Sequence, residues 1–172
     1  MTGVALGWYG KLPSRGDFAG SGLSRETVDA WDGWVQAVLP AVLAALDADH
    51  PPGAWRSTPC WRFALPAGQC GPHALGGLML PGRDQLDRRY PLLAALEGGA
   101  PDAACLDAAE QICQAALQGD ATPQNVSAAL ARVAPGCGDV PGQPMWWRVN
   151  LPPMHLTALP DVAQAIAMLL PA

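Results

Sequence analysis

The sequence predicts an α+β fold, a mainly antiparallel sheet of about five strands packed with helices in one domain over residues 1–172. Three observations carry that expectation. A chain of 172 residues fits one domain and is short for two. Half of the residues are hydrophobic and only 15% are charged, a balance that buries a core rather than leaving the chain disordered. The apolar segments run β-α-β-β-β-α-α-β-α, and the three consecutive strands are joined by connections too short for parallel crossovers.

Residues 4–12 read as the first strand, because aromatic and branched side chains cluster there and Pro13 ends it. Residues 13–22 follow as a loop rich in glycine and turn formers. Ser24 is a good N-cap, and Val28, Trp31, Val35, Val38, Leu39, Val42 and Leu46 then recur at helical spacing as one apolar stripe. Pro40 is expected to kink or divide that helix, and Trp34 falls near the edge of the stripe, partly exposed. After a proline-rich connection over 51–59, residues 60–65 and 74–80 read as strands. Residues 90–96 read as a third, whose Pro91 suits a strand end or an edge. Leu106, Ala109, Ile112, Cys113, Ala116 and Leu117 line one face of a second helix. A third opens with Thr122 as cap and Pro123 in its first turn. Residues 135–144 read as a loop, 145–149 as a last strand and 161–170 as a short apolar helix.

Composition narrows the function classes. Net charge is −5 and the only lysine is Lys11, so a phosphate backbone would be repelled and nucleic acid is not an expected partner. Five cysteines (Cys60, Cys70, Cys105, Cys113, Cys137) are odd in number and hold no C-x-x-C pair, which reads as reduced thiols packed as small hydrophobes in a cytoplasmic protein. The opening residues have no basic stretch before an apolar one, so no signal peptide is expected, and no membrane-spanning segment is expected either. Seven tryptophans, each with a wide apolar face and an N–H that needs a partner, suit cores and protein interfaces alike.

The most distinctive segment is Gly7-Trp8-Tyr9-Gly10-Lys11-Leu12-Pro13-Ser14-Arg15-Gly16-Asp17-Phe18. Its Gly10-Lys11 pair follows a strand as in a phosphate loop, but Ala5 and Leu12 stand where that motif needs glycine and a magnesium-binding hydroxyl. Two readings of the loop stay open. Its polar groups knit the turn, or they face a partner from a rigid scaffold. A thiol–imidazole catalyst built from Cys70 with His73 or His155 is the enzymatic alternative. However, no cysteine considered for it opens a convincing helix that would lower its pKa. His50, His73 and His155 are isolated, without metal-ligand spacing. The carboxylate pairs Asp29/Asp32 and Asp47/Asp49 read as solvated surface. Arg88 and Arg89 have two readings, an oxyanion clamp or pairing with Asp84 and Asp87. Trp146 and Trp147 point to opposite faces of their strand.

That long motif, followed in order by Trp31-Asp32-Gly33-Trp34, Trp61-Arg62-Phe63, Leu78-Met79-Leu80-Pro81 with Arg89-Tyr90-Pro91-Leu92, and Trp146-Trp147, resembles the TagF family of type VI secretion-associated proteins. The resemblance spans nearly the whole chain. It implies a non-enzymatic, post-translational repressor of secretion-machine assembly that acts by contacting a forkhead-associated-domain scaffold protein. Some members of the family are fused to a PP2C-type phosphatase, for which this chain has no room. The family loop after Leu-Met-x-Pro carries a serine and later Gly-Arg. Here Gly82 and Asp87-Arg88 stand there, and the C-terminus is expected to be short. The residues expected to meet the partner are Lys11, Arg15, Asp17, Phe18, Trp34 and Arg89, with no cofactor and no metal.

Overall fold

The computed structural model describes residues 5–171; Val4, expected to open the first strand, lies outside them. Strands β1 (Gly7–Lys11) and β2 (Phe18–Ser21) form an antiparallel hairpin. Helix α1 (Arg25–Asp49) follows, its Ser24 side chain accepting the N–H of Thr27 at 3.3 Å. A 3₁₀ turn (Ala54–Ser57) leads into the meander β3 (Trp61–Leu65), β4 (Leu75–Leu80) and β5 (Leu92–Glu97). Next come β6 (Ala100–Pro101), α2 (Ala103–Gln118), α3 (Pro123–Ala131), β7 (Cys137–Gly138), β8 (Met145–Trp147), β9 (Met154–His155) and α4 (Val162–Leu169).

The main sheet has seven strands in the order β2-β1-β5-β4-β3-β8-β9, all paired antiparallel, and β6 pairs with β7 in a small second sheet. The α+β expectation therefore holds, with more strands than the five anticipated. The additional strands lie where the sequence reads as loop. Phe18-Ala19-Gly20-Ser21 has little strand propensity of its own and becomes a strand because β1 offers it a ladder, Lys11 opposite Phe18 through Trp8 opposite Ser21. Cys137–Gly138 and Met154–His155 are only two residues each, too short for an alternation to show. Of the two readings of Pro91, the strand end holds and the edge does not. The proline precedes β5, which lies centrally between β1 and β4.

Helices cover both faces of the sheet. Trp31, Val35, Val42 and Leu46 of α1, with Met168 and Leu169 of α4, pack on Phe63, Leu75, Leu93 and Trp146. Leu106, Ala109 and Cys113 of α2, with Val126 and Leu130 of α3, pack on Trp8, Leu78, Leu92 and Leu96. This two-sided burial explains why β4 and β5 read as apolar runs instead of alternating: successive residues enter opposite cores. Helix α1 does not divide at Pro40, which is exposed, as is Gln36, whose carbonyl loses its donor there and can turn to water.

The tryptophans mostly anchor these layers. Trp8, Trp31, Trp55, Trp61 and Trp146 are buried, and four indole N–H groups reach named acceptors: Ser127 Oγ from Trp8, and backbone carbonyls of Pro160, Gly82 and Met168 from Trp34, Trp55 and Trp61. As the alternation requires, Trp146 enters the α1 core while Trp147 lies half-buried against the α2 core.

Candidate functional site

The long N-terminal motif folds as β1, a turn and β2, and its geometry explains its residues. Gly10 has φ +149°, and a Cβ there would sit 2.5 Å from the carbonyl oxygen of Pro91, so only glycine allows β1 to approach the start of β5. Lys11 is buried and reaches Asp84 from 73 positions away in sequence, Nζ to Oδ2 at 3.1 Å, while its ammonium lies 4.9 Å from the centre of the Phe18 ring. Phe18 stacks on Tyr9 and meets Tyr90 edge-on, and the Tyr90 hydroxyl donates to Asp32 at 2.6 Å. Burial and the Asp32 carboxylate together push the Tyr90 hydroxyl pKa well up, so it stays a donor.

Asp84 is the hub. Its Oδ1 accepts the backbone N–H groups of Leu86 and Arg88, and its Oδ2 accepts Lys11 Nζ and Arg88 Nε. Burial alone would raise its pKa. The donors from Arg88, Lys11 and Leu86 outweigh that and bring the carboxyl down to about 2. Two further bonds stitch the turn 83–89 to the loop 12–17: Gln85 N to Arg15 O at 2.8 Å and Arg88 Nη2 to Gly16 O at 2.6 Å. The loop's other flank is tied to the α2–α3 connection by Ser14 Oγ donating to Ala121 O.

The six residues expected to meet a partner separate on this scaffold. Arg15 and Asp17 are exposed, and among the described residues neither side chain makes a hydrogen bond or ion pair. Phe18 beside them is 42% exposed. Lys11 is inside, neutralised by Asp84. Arg89 belongs to the neighbouring turn but points away, held by both oxygens of Asp47 at 2.7 and 2.9 Å. Trp34 is elsewhere. It packs on Trp31 and on Trp146 of β8, four strands from β1 and so about 19 Å across the sheet. Two residues of the site escape sequence reasoning. Asp84 gives no sign that Lys11 will meet it. Leu86, 68% exposed, does carry a signal, as a lone large apolar side chain in a polar turn.

The Arg88–Arg89 pair is engaged within the molecule, Arg88 by Asp84 and Arg89 by Asp47 rather than by Asp87. Of the carboxylates read as solvated surface, Asp32 takes the Tyr90 hydroxyl and Asp47 the Arg89 guanidinium.

Burial holds four of the thiols in the protonated form. Burial raises Cys70 to about 12, and its Sγ lies 4.0 Å from the Thr27 carbonyl oxygen. Burial likewise raises Cys113 to about 12 and pushes Cys60 up, with Glu110 adding to both. Cys105 stands in the first turn of α2, but burial and Asp102 push it up as well. His73 and His155 are exposed. Among the described residues no three metal-ligating side chains gather, and no helix is long and apolar enough to cross a membrane.

Residues 7–133 match the family model of the TagF N-terminal domain, type VI secretion system-associated. The fold is similar to the crystal structure of PA0076 from Pseudomonas aeruginosa PAO1, with a TM-score of 0.80 and 24% identity over 96% of this chain and 94% of that one. At that identity the likeness speaks to the fold alone. No curated protein matches the chain.

Proposed function

The chain belongs to the TagF family of type VI secretion-associated proteins, and we propose that it is a non-catalytic, cytoplasmic repressor of that machine's assembly, working by contact with a forkhead-associated-domain scaffold protein. One observation carries this reading. The tip of the 12–18 loop presents Arg15 and Asp17 with their charges free of partners among the described residues, beside a half-exposed Phe18, on a base pinned by the buried Lys11–Asp84 pair. Free charges flanking an aromatic anchor on a rigid support suit a protein interface, because little side-chain order is lost outside the contact itself. The raised thiols support a binding module over a thiol catalyst.

The test is a pull-down of the scaffold protein with the Arg15→Ala, Asp17→Ala double variant. Melting temperature should be unchanged, because neither side chain holds the fold. Capture should fall roughly thirtyfold, as loss of about 2 kcal/mol at an interface centre requires. A folded double variant that captures the scaffold as well as the wild type removes the loop from the interface. A collapse in melting temperature would instead make the loop a knot of the fold.

A further inference from the structure

Charge is unevenly distributed on this acidic chain. Counting the two stitched loops and the charged side chains that pair with them, six of the ten cations gather at one end: Lys11, Arg15, Arg56, Arg83, Arg88 and Arg89. Only four of the fifteen carboxylates accompany them (Asp17, Asp47, Asp84 and Asp87), leaving four cations and eleven carboxylates for the rest. A locally positive end on a protein of net charge −5 attracts anions that the remaining surface repels.

Within that end, Arg56 and Arg83 line the mouth of a cleft of about 640 Å³ between the end of β4 and the last turns of α2. Both guanidiniums lean on a single oxygen: Asp87 Oδ1 lies 3.2 Å from Arg56 Nη2 and 3.6 Å from Arg83 Nε. Those separations are long for charge-assisted hydrogen bonds, which close to about 2.7–2.9 Å. Asp87 itself is exposed and holds a left-handed backbone at φ 62°. Deeper on the wall, the Thr58 hydroxyl is buried and has no hydrogen-bond partner among the described residues. Gln114 and Gln118 supply further amides. The one carboxylate on the wall, Glu110, is already neutralised by Arg62 at 2.9 Å. The carbonyl of Leu117, at the negative end of α2, is taken by Arg83 Nη1 at 3.3 Å.

We propose that this cleft binds a phosphate monoester, with the phosphate group displacing Asp87 from Arg56 and Arg83. A second carboxylate would gain little over Asp87, which is already there. A dianion with three oxygens bonds both guanidiniums at once at full strength, and the cleft has room for the group esterified to it. The site is separate from the Arg15–Asp17 tip, so the two proposals stand or fall independently.

The experiment follows the arginine Nε–H resonances by NMR as inorganic phosphate is added to the full chain at constant ionic strength set with chloride. Arg56 and Arg83 should shift saturably, whereas Arg62, buried and held at Nη2 by Asp107 and Glu110, should not. Arg56→Gln should weaken binding at least about tenfold, the worth of one charge-assisted hydrogen bond. Asp87→Asn keeps a residue type that tolerates the left-handed backbone and removes the competitor, so binding should tighten several-fold. Glycerol 3-phosphate and a phosphoserine peptide are the two ester probes. The one that binds more tightly than inorganic phosphate identifies the source. The proposal is overturned if chloride and phosphate act alike, if Asp87→Asn fails to tighten binding, or if neither ester surpasses inorganic phosphate.

Discussion

Asp84→Asn is the sharpest perturbation this structure offers. The carboxylate is fully buried and accepts four hydrogen bonds, two of them from cations. A carboxyl held at about 2 rather than its ordinary 3.8 is worth about 2.5 kcal/mol of folding stability in its ionised form. The amide can still accept from the N–H groups of Leu86 and Arg88, so the turn keeps its shape. It cannot neutralise Lys11, whose side chain is only 11% exposed. Leaving one member of a buried pair uncompensated costs about 3–5 kcal/mol, and the Phe18 ring returns only a fraction of that to the ammonium. The expected loss at neutral pH is therefore about 3 kcal/mol, read from urea unfolding. Lys11→Met on the Asp84→Asn background should recover about 2 kcal/mol relative to the sum of the two single losses. The sign of the pH dependence is set by the depressed pKa. The stabilisation is fully present above about pH 4 and is lost as pH falls through about 2, so the gap between wild type and Asp84→Asn should narrow over that window. A loss below about 1 kcal/mol at neutral pH, or a gap that stays constant down to about pH 2.5, would refute the hub reasoning.

Two further outcomes test the fold and its thiols. Gly10→Ala should destabilise by about 2–3 kcal/mol in thermal or urea unfolding, since it combines an unfavourable φ with a Cβ driven into the Pro91 carbonyl; an unchanged melting temperature would mean that β1 and β5 are not so closely apposed. In the folded protein, a thiol reagent should modify the exposed Cys137 readily, the half-buried Cys60 slowly, and Cys70, Cys105 and Cys113 only on unfolding. Rapid alkylation of Cys70 at neutral pH would favour the catalytic alternative.

Much of the architecture was legible because its determinants are local. The α1 stripe, the Ser24 and Thr122 caps with Pro123, and the three consecutive strands declare themselves through periodicity and turn chemistry, and each recurs in the structure. What escaped was the set of elements with no local signal. Strand β2 exists only as a ladder on β1, and β7 and β9 are too short to alternate. The candidate site divides along the same line. The sequence singled out Arg15, Asp17 and Phe18, a polar, glycine-permitted loop after a strand, and they do share one exposed tip. It could not place Trp34 against β8, turn Arg89 toward Asp47, or join Lys11 to Asp84. Pairing between residues tens of positions apart depends on which strands become neighbours, and that is decided by burying both faces of one sheet at once. By itself, then, the sequence determined the elements with a local signal, the acidic balance and the family. The tertiary structure decided which charges are spent holding the loops together and which, among the described residues, stay unpaired.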